Sequence, residues 1–146
     1  MKKFKFSLDS VRGFRQARLE EEEARMQGLQ AELEVFCARL SELDRQELET
    51  MERIRSVRVV DVDELIAADA FRQFAGRERE RLRVGIEEVS VRLERQREVL
   101  TDAQRQVEVL KKLRERRLET WRAEVDREME NAVAELVIAR WRGIGD

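Results

Sequence analysis

Not one proline interrupts this chain of 146 residues, and only six glycines and a single asparagine, Asn131, are available for turns. Tight turns draw on proline's fixed φ and on the left-handed conformations that glycine and asparagine tolerate. A chain so poor in these residues can build very few connections. A β-sandwich or a doubly wound α/β fold needs many, and both are excluded. A few long helices remain. Charged residues make up 42% and hydrophobic residues 42%, with only 5% aromatic, which is the balance of a coiled coil rather than of a packed globule.

The same composition removes most catalytic chemistry. Histidine is absent, so no Ser-His-Asp triad, Cys-His dyad or His-ligated metal site can be assembled. The single cysteine, Cys37, leaves no internal disulfide and fits a reducing compartment. Beside the apolar Phe36 it reads as a packing residue, since a free thiol behaves as a small hydrophobe. Carboxylates are abundant, but a pair of helices offers no cleft to desolvate them and shift their pKa. No G-x-x-x-x-G-K-[ST] loop is present, which removes that route to nucleotide binding. The expectation is a non-enzyme with no catalytic residue, no metal and no cofactor. No apolar run approaches the ~20 residues that span a bilayer. The opening Met1-Lys2-Lys3-Phe4-Lys5-Phe6 is basic but lacks a signal peptide's apolar core. The chain reads as cytoplasmic, without direct membrane insertion.

Thirty basic residues face 32 acidic ones. Neither half is polybasic, so nucleic-acid binding has no net-charge footprint and no nucleic acid is expected as a partner. Locally, Lys111-Lys112-Leu113-Arg114-Glu115-Arg116-Arg117 is strongly basic. It reads either as a solvated helix face or as a contact with an acidic protein surface. The acidic run Glu20 to Glu23 would lie near it in an antiparallel hairpin, favouring the first.

Hydrophobic spacing divides the chain in two. Leu29, Leu33, Phe36, Leu40 and Leu43 alternate steps of 4 and 3, and the series continues through Glu47 and Thr50 to Ile54 and Val57. That is a heptad stripe with two polar gaps, widened there by Leu48 and Met51. Leu19 and Met26 extend it upstream, while Val11 and Phe14 suggest a shifted register. Ser7, Asp9 and Ser10 are candidate N-caps. The β-branched stretch Val57-Arg58-Val59-Val60-Asp61-Val62 disfavours helix, and Asp61 with Glu64 resembles a capping box. The expected elements are helix one at about 8–58, a turn at about 58–63 and helix two at about 63–141, forming one domain over 1–146. Helix two is expected to bend or fray near 76–85, between Gly76 and Gly85.

From Ile86 the second stripe is regular through Val89, Leu93, Gln96, Leu100, Ala103, Val107 and Leu110. Beyond it, Arg114, Leu118, Trp121, Val125, Met129, Ala132 and Leu136 approximate an 11-residue repeat, which straightens a left-handed coil. At 1.5 Å per residue the two helices would span roughly 75 and 115 Å. The fold class expected is therefore all-α, an antiparallel two-helix coiled-coil hairpin with a longer, overhanging C-terminal helix. The overhang stays apolar, and an exposed apolar stripe usually marks a partner site.

Three stretches resemble the FliJ family of the bacterial flagellar type III export apparatus. Phe4-Lys5-Phe6-Ser7-Leu8, followed by Val11 and Arg12, is similar to that family's F-x-F-x-L opening. The run from Leu110 to Trp121 resembles its basic L-x-x-L segment ending in an aromatic. Glu135-Leu136-Val137-Ile138-Ala139-Arg140 resembles its C-terminal E-L-A-x-x-R pattern, with Val137 in place of the small residue. The order of the motifs and the chain length match as well.

The resemblance implies a hairpin shaped like the central stalk of rotary ATPases. It implies three partners: the hexameric flagellar export ATPase, the cytoplasmic domain of the export gate, and export chaperones. Through them the chain would associate peripherally with the inner membrane. Phe4, Phe6, Leu8, Trp121, Val125, Met129, Leu136 and Trp141 are the residues expected to meet the ATPase. Phe71, Phe74, Arg77 and Arg81 are expected at the export gate, although the two rings could instead close the hairpin end. A generic structural coiled-coil spacer and the equivalent stalk protein of a virulence type III system are the alternatives.

Overall fold

The computed structural model describes residues 2–59 and 61–145. Among these it is all-α. Helix α1 spans Asp9–Ser56, 48 residues, and helix α2 spans Val62–Ile144, 83 residues. The expected turn falls between them; Val60 within it lies outside the described residues, as does Asp146 of the tail.

The helix ends follow from local chemistry. Helix α1 stops where the valine-rich stretch begins, with Arg53 and Arg55 in its last turn, on the side of the dipole that favours cations. Helix α2 is capped by Asp61: its carbonyl accepts from Leu65 N–H at 3.1 Å and its Oδ1 from Asp63 N–H at 3.4 Å. Asp63 and Glu64 add negative charge to that first turn. At the start of α1 the Leu8 carbonyl takes the first helical bond, from Arg12 N–H at 2.9 Å. Ser7, a candidate cap in sequence, instead accepts a hydrogen bond from Arg117 at 2.6 Å.

The chain divides into two compact units. In the central unit, Glu21–Thr101, α1 and α2 run antiparallel: Glu22 meets Gln96, Glu32 meets Arg92, and Asp44 and Glu47 meet Arg79. Its core holds Leu43, Ala75 and Leu82, with Phe36, Leu40 and Phe71 packed against them. Val89 and Leu93 continue the buried stripe. Leu29, Leu33, Thr50 and Ile54 are half-buried, as the heptad spacing requires. Leu48 and Met51 do not widen the seam; they are exposed, and so is Val57, because Val57 lies past the helix end. Cys37 is exposed as well, one position off the seam and turned away from it.

Helix α2 remains helical through Gly76 and Gly85. Gly85 has a packing role instead. A Cβ there would stand 3.0 Å from Phe36 Cε1 and 3.1 Å from Cζ, so the missing side chain is the socket for the Phe36 ring.

In the terminal unit, Met1–Glu20 with Asp102–Asp146, the pairing is also antiparallel. Arg15 donates to Gln106 at 2.6 Å, and Phe4 lies beside Trp121 with ring centroids 5.9 Å apart. Val11 and Phe14 are exposed, Phe14 at 63%. The seam is held instead by Arg15 and Leu19, both half-buried, which continues the spacing of Met26 and Leu29 unshifted. An arginine can hold such a position because its aliphatic stem packs while its head reaches a polar partner.

Candidate partner-binding surfaces

On the terminal unit, residues 2–8 are not helical, yet they cover α2. Phe6 is buried and Phe4 and Leu8 are half-buried. Arg114 stacks over the Phe4 ring at 5.6 Å, and Arg117 over the Phe6 ring at 5.5 Å. Such contacts contribute roughly 0.5–1 kcal/mol each at exposed sites and more when desolvated. The F-x-F spacing thus places two rings on two arginines one helical turn apart. Arg114, a polar residue in an apolar stripe, is the counterpart of Phe4; its Nε is buried with no hydrogen-bond partner among the described residues.

The 11-residue repeat is visible in burial: Val107, Leu110, Arg114, Leu118, Trp121 and Val125 are all half-buried. Beyond Val125 every described residue is exposed. Met129, Leu136 and Trp141 therefore project freely, Trp141 at 79%, together with Val133, Val137 and Ile144. Of the eight residues expected at one partner, Phe4, Trp121 and Val125 line one groove, Phe4 and Phe6 line the next, and Leu8 is half-buried. Met129, Leu136 and Trp141 belong to the bare helix that follows.

The second group splits differently. Phe71 packs against the central core, whereas Phe74 is 51% exposed; their ring centroids are 6.4 Å apart. Arg77 and Arg81 are exposed, and at steps of three and four from Phe74 they share its helix face. One ring thus closes the hairpin end and the other is available to a partner. Nearby, Met51, Ile54, Leu65 and Phe71 line an open apolar groove, which sequence spacing did not show because Leu65 falls outside both stripes.

Glu22 is a further residue that the sequence concealed. It lies in the run Glu20 to Glu23, yet it is buried to 3% exposure on the seam. Gln96 Nε2 donates to its Oε2 at 2.5 Å and to its carbonyl at 3.1 Å, and Arg25 donates to Oε1 at 3.0 Å. Glu22 sits opposite Gln96, while the basic run sits beside residues 2–8. The period makes this readable: Glu22 falls 3 after Leu19 and 4 before Met26.

No helix among the described residues is long and apolar enough to cross a membrane. A family model described as "Flagellar FliJ protein" matches residues 4–143. No curated protein and no solved structure gives a significant match.

Proposed function

The chain belongs to the FliJ family of flagellar proteins, a component of the flagellar export apparatus, and from that premise we propose that it serves as a stalk for the hexameric export ATPase. The terminal unit enters the central opening of the hexamer. The Phe74, Arg77 and Arg81 face of the central unit meets the cytoplasmic domain of the export gate, and the chain escorts substrate-free chaperones between them. These contacts hold it peripherally at the cytoplasmic side of the inner membrane.

One observation carries the reading. Helix α2 continues past Val125 with Met129, Val133, Leu136, Val137 and Trp141 uncovered, while the preceding turns are covered by residues 2–8. A helix that keeps an apolar face beyond its own cover needs another surface. At roughly 25 cal/mol per Å², seating several of these side chains contributes several kcal/mol before ordering and association costs. Arg122, Arg127 and Arg140, interspersed with acids, set orientation more than affinity.

The test is ATPase stimulation and hexamer formation by purified export ATPase, with full-length protein against a 1–124 truncation and a full-length Met129→Glu, Leu136→Glu, Trp141→Glu variant. Both altered proteins should keep their helicity and lose the stimulation. If either stimulates as well as the wild type, the stalk contact lies elsewhere. Phe74→Ala should separately weaken binding to the isolated gate domain and leave ATPase stimulation intact.

A further inference from the structure

The chain has five lysines among its 30 basic residues: Lys2, Lys3, Lys5, Lys111 and Lys112. All five belong to the terminal unit, and docking of residues 2–8 on α2 brings Lys2, Lys3 and Lys5 to the stretch of that helix that carries Lys111 and Lys112. Lys2, Lys3 and Lys5 line one groove with Arg117 and Trp121, and Lys5 lines a second with Arg114. Lys111 lines a third with Arg114. With Arg12, Arg114, Arg116 and Arg117, nine bases gather against five acids, Asp9, Glu115, Glu119, Glu124 and Glu128, the last two lining the groove of Lys2, Lys3 and Lys5, in a chain whose net charge is −2. Along α2 the bases of this group span 111–117, about 9 Å at 1.5 Å per residue, which is close to one Debye length at physiological salt.

The partition between lysine and arginine is informative. Every ion pair among the described residues is made by an arginine. That matches the guanidinium's fit to a carboxylate, whereas a lysine ammonium is a compact, hydrated point charge. The five lysines are exposed and none has an acidic partner among the described residues. Arg114 and Arg117 are occupied by the Phe4 and Phe6 rings and by Ser7. Arginine does the carboxylate pairing in this chain, so unpaired lysines fit a diffuse array of anions better than a set of fixed carboxylates. Trp121, half-buried beside them, adds an amphipathic ring of the kind that settles at headgroup level.

We propose that this lysine cluster is an electrostatic docking surface for a bilayer rich in anionic phospholipids, a direct contact beyond association through protein partners. Polybasic segments adsorb to such surfaces without insertion, and the attraction fades within a Debye length. The bilayer contact rests on the charges of the terminal unit and the hexamer contact on its apolar residues from Met129 onward; because both draw on the same unit, they are alternative engagements of it and not simultaneous ones.

The experiment is co-sedimentation of the full-length protein with phosphatidylcholine vesicles, with and without a fraction of phosphatidylglycerol. The wild type should bind only the phosphatidylglycerol vesicles, and high salt should release it. Replacing lysines by glutamine should weaken partitioning about fivefold per residue, with the five-lysine variant indistinguishable from no binding. The five-fold Lys→Arg variant should still bind, because charge is what acts. A control with Arg39, Arg55, Arg58, Arg72 and Arg83 changed to glutamine removes equal charge from the central unit and should keep binding. Circular dichroism should show unchanged helicity in each variant, since every replaced side chain is exposed. The proposal is overturned if the wild type ignores phosphatidylglycerol, or binds duplex DNA but no vesicle. It is equally overturned if the arginine control loses as much as the lysine variant.

Discussion

Two stretches of α2 meet different kinds of partner. In the central unit, Ala75, Leu82, Val89 and Leu93 are buried along the face that meets α1. In the terminal unit, Arg114, Arg117 and Trp121 of the same helix meet the non-helical residues that carry Phe4, Phe6 and Ser7. The first arrangement excludes water from methyl and methylene groups. The second lays aromatic rings on cations and leaves most of the surface wet. Apolar burial is non-directional and holds the helices together; ring-on-guanidinium contacts fix a short segment in place and are individually weak. The central unit therefore carries more of the buried apolar side chains, Leu43, Ala75, Leu82, Val89 and Leu93 against Phe6 and Ala103, and the terminal unit carries the ring-on-guanidinium contacts.

The largest test of this contrast is Leu82→Ala. Leu82 is 4% exposed within the Leu43–Ala75–Leu82 core, and truncating a buried leucine costs about 2–5 kcal/mol. Urea denaturation followed by circular dichroism should show that loss. Leu136→Ala, on the bare C-terminal turns, should stay within about 0.5 kcal/mol of wild type. Equal losses at the two sites would erase the distinction between the units.

Next in size is Glu22. Hydrogen bonds to a charged group contribute about 1.5–3 kcal/mol, so Glu22→Ala, which removes the carboxylate that accepts from Gln96 and Arg25, should destabilise by that order. The double change Glu22→Leu with Gln96→Leu should recover most of the stability. The recovered protein should be less faithful in register, because a polar layer in an apolar seam specifies alignment at a cost in stability. Denaturant midpoints measure the first effect; cross-linking of cysteines placed across the seam measures the second.

These residues also mark where sequence reading succeeds and where it stops. The heptad from Leu29 to Ile54 and the stripe from Ile86 to Leu110 were legible because burial follows period. The missing turn residues limited the chain to few connections, and the valine-rich break with Asp61 located one. Residues that violate the hydrophobic code were not legible. Glu22 and Arg15 occupy seam positions as ions, and Val11 and Phe14 are exposed although apolar. Gathering the lysines needs residues more than a hundred positions apart, which no local period encodes. Phe71 and Phe74 have the same side chain three residues apart, and only their angles on the helix separate core from surface.

The glycines sharpen the comparison at the next scale down. In a helix interior, Gly→Ala gains roughly 1 kcal/mol from backbone entropy and propensity. At Gly76 an added Cβ meets nothing within 4 Å, so Gly76→Ala should realise that gain. At Gly85 it meets three carbons of the Phe36 ring at 3.0, 3.1 and 3.4 Å, and Gly85→Ala should show no gain or a loss. In a Phe36→Leu background, which vacates the socket, Gly85→Ala should become stabilising. Thermal midpoints of the wild type, the three single variants and the double variant settle it; a gain at Gly85 with Phe36 in place would remove the socket.

The smallest effect lies on the solvent face of the central unit. Arg45 donates to Glu42 at 2.9 and 2.6 Å and also pairs with Glu49. The hydrogen bonds from Arg45 hold the Glu42 carboxyl below its ordinary value. A carboxyl with a depressed folded-state pKa binds its proton more weakly when folded than when unfolded. Its contribution to stability is therefore fully present above the ordinary glutamate value of about 4.3. It is lost as pH falls through the lower folded-state value. Both partners are exposed, and surface pairs of this kind contribute little. Arg45→Gln should lower the melting temperature slightly at neutral pH, and less so in added salt, which screens exposed charges. The difference from wild type should close as the solution is acidified below the glutamate range. A deficit that persists unchanged in acid would mean that Arg45 acts through the packing of its stem rather than through its charge.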